Sequence, residues 1–148
     1  MSCIRFNTPA QLRQLDALRE DTGLASQSVS GFSSPPVTAS KIERLRVMSR
    51  DRRVKIRESA ALNVHAPEDV FALLVNDPHE SVRICVARNE STPCDVLRQL
   101  ATDASEEVRS WVAINFFVPA DAMELLANDS SDKVRGLVNW KTSLTLAT

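Results

Sequence analysis

The sequence predicts an all-α protein built from tandem units of 26 residues, each with two helical pieces. Three observations support this class. The same apolar and polar positions recur in phase, without gaps, from residue 51 to residue 135. Within each unit the apolar residues step by three and four, as on one face of a helix. Only three glycines occur in 148 residues, which disfavours turn-rich β folds.

The units share an aspartate at the start, an arginine six residues later and an asparagine twelve residues later. The aspartates are Asp51, Asp77, Asp103 and Asp129, and the last of them opens a partial unit. The arginines, called the Arg ladder, are Arg57, Arg83, Arg109 and Arg135. The asparagines, called the Asn ladder, are Asn63, Asn89 and Asn115. Agreement at so many positions indicates duplication of one structural unit.

The first piece of each unit is predicted to be a helix of about three turns. In the second unit Asp77 is the predicted N-cap, Pro78 suits the first helical position, and Glu80 follows three residues after the cap. Asp103 and Asp129 are predicted to cap their helices in the same way. An acid at this place also faces the positive end of the helix dipole.

The second piece of each unit opens with a proline. In the second unit Thr92 is the predicted cap, with Pro93 at the first helical position and Asp95 at the third. This piece spans about ten residues, which is short enough to be partly 3₁₀-helix.

The repeat is predicted to occupy residues 41–148, behind a distinct segment of residues 1–40. Leucines on one face of residues 8–22 predict a helix there. Serines and two prolines predict a flexible connection over residues 24–38.

Incomplete units flank the complete ones. Ser40 and Glu43 form a predicted capping box for a helix through about Ser49, which matches the second half of a unit. Residues 140–148 lack the proline, so no second helix is predicted in the fourth unit.

The repeat pattern resembles the leucine-rich repeat variant (LRV) family of bacterial proteins. The second unit carries V-R-x-x-V-A-x-N from Val82 to Asn89, followed by Pro93 and Leu100. The resemblance covers residues 41–139 and implies a right-handed superhelix of alternating α- and 3₁₀-helices, a solenoid related in shape to HEAT and armadillo proteins. Some members hold an iron–sulfur centre in an N-terminal cysteine cluster. Cys3 stands alone in that region, so no cofactor is expected.

The Arg ladder has two interpretations. It forms either a row of guanidinium groups for phosphate or carboxylate partners, or a set of ion pairs to the aspartate of the same or the next unit. We favour the ion pairs, because half-buried charges are retained only when they are paired. The Asn ladder is predicted to satisfy backbone groups where the first helix ends.

Charge is distributed unevenly along the chain. Residues 41–57 carry a net charge of +6, and residues 58–132 carry a net charge of −10. The basic stretch is a candidate site for an acidic protein or for nucleic acid, and the uneven charge also suits head-to-tail contact between copies of the chain. The alternative is a solvated surface with local pairs. The candidate partner-binding residues are Arg46, Arg50, Arg52, Arg53 and Lys55.

Several aromatic residues lie near the C-terminal end, namely Trp111, Phe116, Phe117 and Trp140. Core filling and a binding patch are both open as explanations. Either residues 140–148 fold back over the last unit, or two copies of the chain meet there as a homo-oligomer, which we favour.

No catalytic or metal-binding arrangement stands out in the sequence. His65 and His79 have no Cys or His at ligand spacing, and Cys85 and Cys94 fall at small-residue positions. The predicted function is a non-enzymatic protein–protein interaction module. The alternative is a nucleic-acid-binding module that uses residues 41–57, with weak binding, and a DNA-processing domain is a third, weaker option.

The sequence also predicts where the chain resides. Three widely spaced cysteines and an N-terminus without an apolar segment predict a cytoplasmic protein without a secretory signal. No run approaches 18 apolar residues, so no contact with a membrane is expected.

Overall fold

The computed structural model describes residues 37–146, which fall almost entirely in one compact unit, Thr38–Thr148. Over this range the chain forms eight α-helices and no strand, so the all-α class is confirmed. The helices are α1 (Ala39–Met48), α2 (Val54–Ala61), α3 (Glu68–Leu74), α4 (Glu80–Arg88), α5 (Cys94–Leu100), α6 (Glu106–Ile114), α7 (Ala120–Ala127) and α8 (Asp132–Leu146). The predicted helix over residues 8–22 and residues 24–36 of the predicted connection lie outside the described residues.

The first helix of each unit begins three residues after the aspartate rather than directly behind it. The sequence predicts Asp77 as the N-cap of α4, but the structure places His79 there. Asp77 Oδ1 accepts a hydrogen bond from the backbone N–H of His79 at 2.9 Å and closes a turn before the helix. Asp103 and Asp129 accept from the N–H two residues later in the same way, each at 2.8 Å. The predicted capping role is therefore wrong, because these carboxylates stabilise the entry turn.

The second helices α3, α5 and α7 are α-helices of seven or eight residues, so the 3₁₀ prediction is wrong. A proline is the N-cap of each. Thr92, the predicted cap of α5, is buried and donates its hydroxyl to the Val86 carbonyl at 2.7 Å instead. In α1 the N-cap is Thr38 rather than Ser40, and its hydroxyl accepts from the N–H of Lys41 at 3.3 Å.

Helices of the same type contact one another one unit apart. Among the first helices, α2 contacts α4, α4 contacts α6, and α6 contacts α8. Among the second helices, α1 contacts α3, and α5 contacts α7. The inward faces share one hydrophobic core, in which Val82, Val108 and Val134 occupy the same position of successive units and are fully buried. Burying such a side chain stabilises the fold by about 1.5–3 kcal/mol, so this core holds the helices together.

Helix α8 differs from the other first helices. It has 15 residues, whereas α2, α4 and α6 have eight or nine. The position of the Asn ladder is occupied by Lys141, which lies inside the helix. Residues 140–146 therefore continue α8 in place of the turn that ends the other first helices.

Candidate functional site

Three of the four arginines of the Arg ladder lie in ion pairs that join successive units. Arg57 donates from Nε and Nη2 to the two carboxylate oxygens of Asp77, at 2.5 and 3.0 Å. The same bidentate geometry, with distances of 2.7 to 3.1 Å, joins Arg83 to Asp103 and Arg109 to Asp129. Bidentate pairs of this kind are the stronger class of ion pair, because both carboxylate oxygens are bonded.

Each of these arginines is also bonded to the unit that carries it. Nη1 of Arg83 donates to the backbone carbonyl of Asp77 at 2.8 Å, six residues earlier. Arg57 and Arg109 make the equivalent bond at 2.9 and 2.7 Å. Both partners of each ion pair are largely buried. These guanidinium groups therefore link neighbouring units and are occupied within the fold.

The carboxylates of the ladder pairs titrate below their ordinary range. Burial raises the pKa of Asp77 and Asp103, but the bonds from arginine and from a backbone N–H outweigh burial and lower the pKa below 3.8. For Asp129 the bond from Arg109 is the main cause of the lowered pKa. The ionised form is thus the one that the folded chain favours.

The Asn ladder bonds to backbone groups of two units. Asn89 Nδ2 donates to the carbonyls of Ala61 and Asn63 at 2.7 and 3.1 Å, and its Oδ1 accepts from the N–H of Ser91 at 2.8 Å. Asn115 repeats this pattern one unit later. Removing such a side chain would leave buried carbonyls without a donor, so the Asn ladder has a structural role.

Lys141 takes the place of the asparagine in the fourth unit. Its Nζ donates to the carbonyl of Ala113 at 3.1 Å and to that of Asn115. Burial lowers the pKa of this ammonium group to about 8. Our sequence analysis missed Lys141, although its distance of 26 residues from Asn115 is a sufficient signal.

The structure divides the candidate residues of the basic stretch. Three of the five bond to carboxylates within the described range: Arg46 to Asp69, Arg53 to Asp51, and Lys55 to Glu58. Arg50 donates to the carbonyl of Arg46 at 3.1 Å, and the Arg52 side chain has no polar partner among residues 37–146. Arg50 and Arg52 line an open depression beside Val47. Of the five candidate cations, these two have no carboxylate partner among residues 37–146.

One surface carries exposed apolar side chains at regular spacing. Val47, Leu73 and Leu125 occupy the same position of α1, α3 and α7, and they are 64%, 41% and 49% exposed. Gln99 takes this position in α5, and its Nε2 donates to Asn76 Oδ1 of the preceding unit at 2.8 Å. We call the row Val47, Leu73, Gln99 and Leu125 the second-helix face. An amphipathic helix normally places polar residues on its solvent side, so core packing does not explain this row.

Charged pairs border the second-helix face. Arg46 Nε donates to Asp69 at 2.8 Å, and Arg98 Nε donates to Asp121 at 2.6 Å. Arg98 also reaches Asp95 on its own helix at 2.6 Å. Exposed pairs such as these contribute little to stability, so they form a polar border of this face and not a support of the fold.

The aromatic residues near the C-terminal end divide between the core and the surface. Trp111 packs against the core, and the Arg88 guanidinium lies 4.5 Å from the centre of its ring. The rings of Phe116 and Phe117 meet edge to face at 5.0 Å. Trp140 on α8 is 55% exposed. Core filling therefore accounts for Trp111 and not for Trp140.

Among residues 37–146, the two histidines and Cys85 have local structural surroundings. His65 lies in a turn, His79 is an N-cap, and burial raises the pKa of Cys85. In the part of the chain that the structure describes, no group of three or more His, Cys, Asp or Glu is placed to hold a metal ion. None of the helices in that part has the length and apolar character needed to cross a membrane.

Comparison with protein families, with curated proteins and with solved structures finds no match for the chain.

Proposed function

We propose that the chain is a right-handed α-solenoid of LRV-like units and that it binds another protein at the second-helix face, without catalysing a reaction. The observation that carries this proposal is the row of exposed apolar side chains, one on each of three second helices at a fixed position. Exposed apolar side chains with a polar border are typical of protein interaction sites.

The solenoid part of the proposal is supported by contacts that recur every 26 residues. The pairs from Arg57 to Asp77 and from Arg83 to Asp103 have the same geometry, and both join neighbouring units. The bonds of Asn89 and Asn115 also recur. Stacked repeats bury a continuous core and leave an extended surface on which a partner can lie.

The spacing of the second-helix face indicates what kind of segment fits it. Packed helices lie about 8–10 Å apart, so successive anchor residues are separated by about that distance. An extended strand covers it in about three residues, and an α-helix covers it in about six. Arg50 and Arg52 lie at the α1 end of the row. We therefore propose a partner segment with regularly spaced apolar residues and an acidic residue at one end.

The test is a comparison of two matched double variants in a pull-down from native extract. The face variant is Leu73→Ser with Leu125→Ser. The control variant is Leu62→Ser with Val64→Ser, which changes two apolar residues outside the second-helix face that are 46% and 62% exposed. We expect specific proteins to be captured by the wild type and by the control variant but not by the face variant. Capture of the same proteins by all three chains would contradict the proposal.

Nucleic-acid binding remains the second candidate function, and the observation that favours it is the exposure of Arg50 and Arg52. It is the weaker candidate because Arg46, Arg53 and Lys55 are already bonded to carboxylates. The acidic residues of 58–132, with a net charge of −10, also oppose a long polyanion.

A further inference from the structure

The two ends of the described helices present opposite halves of the ladder ion pair. In the interior, each arginine binds the aspartate 20 residues later, as Arg109 binds Asp129. Arg135 holds the arginine position in the last unit, and Asp51 holds the aspartate position in the first complete unit. The residue 20 positions before Asp51 is Gly31, which carries no guanidinium group.

Arg135 keeps the half of the ladder contacts that lies within its own unit. Its Nη1 donates to the backbone carbonyl of Asp129, as Arg109 Nη1 donates to that of Asp103. Its Nη2 meets Asp132 on the same helix, whose side chain is 95% exposed. In Arg109 this edge of the guanidinium group binds the aspartate of the next unit. In Arg135 it binds the surface carboxylate of Asp132 instead.

Asp51 keeps the complementary half. Its Oδ1 accepts from the backbone N–H of Arg53 at 2.8 Å, as Asp129 accepts from that of Ser131. The carboxylate is then bonded by the Arg53 side chain at 3.0 and 3.1 Å, and that side chain is 75% exposed. The exposed Arg53 thus bonds to Asp51 at the oxygens that, in Asp129, are bonded by Arg109 of the preceding unit.

The helices at the two ends are complementary as well. The first described helix, α1, corresponds to a second helix, whereas α8 is a first helix that continues to Leu146. Ile56 on α2 is only partly buried, although Val82 and Val108 at the same position are fully buried. A further first helix packed on the outer side of α2 would cover Ile56 as neighbouring first helices cover those valines.

We propose that copies of this chain stack head to tail, with the α8 end of one copy against the α1–α2 end of the next. Arg135 then binds Asp51 of the next copy, and α8 pairs with α1 of that copy to complete a unit. Asp132 and Arg53 return to solvent at small cost, because exposed pairs are weak. The two surfaces differ, so the contact is heterologous and extends along a line. The contact uses Asp51 and Arg135, which are not residues of the second-helix face.

Sedimentation velocity of the full chain, over a broad range of concentration, tests the stacking. We expect the weight-average mass to rise above 16.4 kDa with concentration. Asp51→Arg and Arg135→Asp should each weaken association by about tenfold or more, because like charges then face each other. An equimolar mixture of these two variants should associate again, since every contact in the mixture can join opposite charges.

Charge-matched controls are Asp95→Arg and Arg98→Asp, which alter an exposed pair on α5 and should leave association unchanged. Circular dichroism identifies any variant that fails to fold, and Asp51→Asn or Arg135→Gln then replaces it. A chain that is monomeric at every concentration would overturn the proposal. So would association that Asp51→Arg leaves intact, or a mixture of folded variants that stays monomeric.

Discussion

Arg109 connects two units through four hydrogen bonds, two to the Asp129 carboxylate and two to the carbonyls of Asp103 and Ala104. Arg109→Ala removes all of them and leaves a buried carboxylate without its partner. We expect the free energy of unfolding to fall by about 2–4 kcal/mol. Urea denaturation of the wild type and the variant measures this difference.

The control for this prediction is Arg88→Ala. Arg88 is exposed and its described contact is with the ring of Trp111 at 4.5 Å, so we expect a loss of about 0.5–1 kcal/mol. Equal and negligible losses in the two variants would contradict a structural role for the Arg ladder and revive its interpretation as a ligand site.

The lowered pKa values of Asp77, Asp103 and Asp129 predict a loss of stability in acid. The folded pKa of each lies below its ordinary value of 3.8, so below that pH the unfolded chain binds more protons than the folded chain. Their contribution is complete above the ordinary pKa and is lost as the pH falls through the folded pKa. We expect urea midpoints to fall steeply below about pH 4, where the unfolded carboxylates begin to take up protons.

Arg109→Ala serves as the matched variant in acid. Without the guanidinium, Asp129 loses the main cause of its lowered pKa, so the variant should lose less stability between neutral pH and pH 3 than the wild type does. If the free energy of unfolding falls by the same amount in both chains over this pH range, Asp129 does not contribute to the loss of stability in acid.

Lys141 predicts a change in stability at alkaline pH. Its folded pKa of about 8 lies below the ordinary 10.5, so between these values the folded chain releases a proton that the unfolded chain retains. The free energy of unfolding should therefore rise with pH across this range, on the order of 1 kcal/mol after allowance for partial exposure. Lys141→Asn restores the ladder residue and should remove this rise. An identical alkaline profile for both chains would contradict the assignment.

At the scale of the helix, the sequence predicts the existence of the elements better than their starts. Helices α2 to α7 follow from the apolar spacing and the prolines, since both depend on local physics. Asp77 resembles an N-cap in sequence, yet its carboxylate is committed to the His79 N–H and to Arg57. That second bond reaches back 20 residues, so the shift of the helix start from Pro78 to Glu80 depends on a contact outside the local sequence.

Helix α8 illustrates the same limit. The missing proline in residues 140–148 predicts the loss of the second helix, but not that the chain stays helical to Leu146. Within the continued helix, the ammonium group of Lys141 reaches the carbonyls of Ala113 and Asn115. The spacing of 26 residues marks Lys141 as the counterpart of Asn115, but the helical backbone around it is seen only in the structure.

At the scale of the whole chain, the uneven charge predicts weak and salt-sensitive binding to nucleic acid. Arg50 and Arg52 are exposed without a carboxylate partner among the described residues, while the acidic residues of 58–132 repel the rest of a duplex. We expect a Kd above ~10⁻⁵ M for a short duplex at physiological salt. Fluorescence anisotropy with wild type and Arg50→Ala/Arg52→Ala measures it. Submicromolar binding that the double variant loses would make nucleic acid the better candidate.

The candidate site shows why patterns of charge are harder to interpret than patterns of apolar residues. The five candidate cations form one cluster in sequence, but Arg46, Arg53 and Lys55 bond to carboxylates. The Arg46 partner, Asp69, is 23 residues away, and its approach depends on the packing of α1 against α3. The second-helix face was not predicted, because Val47, Leu73 and Leu125 look like ordinary helix residues until their exposure is known.

The ladder bonds have the same geometry at each step of 26 residues. One unit can therefore be removed and the units on either side of it can form the same bonds with each other. Excision of residues 77–102 removes 26 residues and brings Asp103 to the place of Asp77, where Arg57 can bind it. Asn115 would likewise meet the carbonyls of Ala61 and Asn63. We expect this shortened chain to fold cooperatively with a lower melting temperature, because one inter-unit interface is lost. Excision of residues 77–99 breaks the phase of every later contact and should abolish the cooperative melt in circular dichroism. Modularity of this kind would allow such a protein to change its length by whole units.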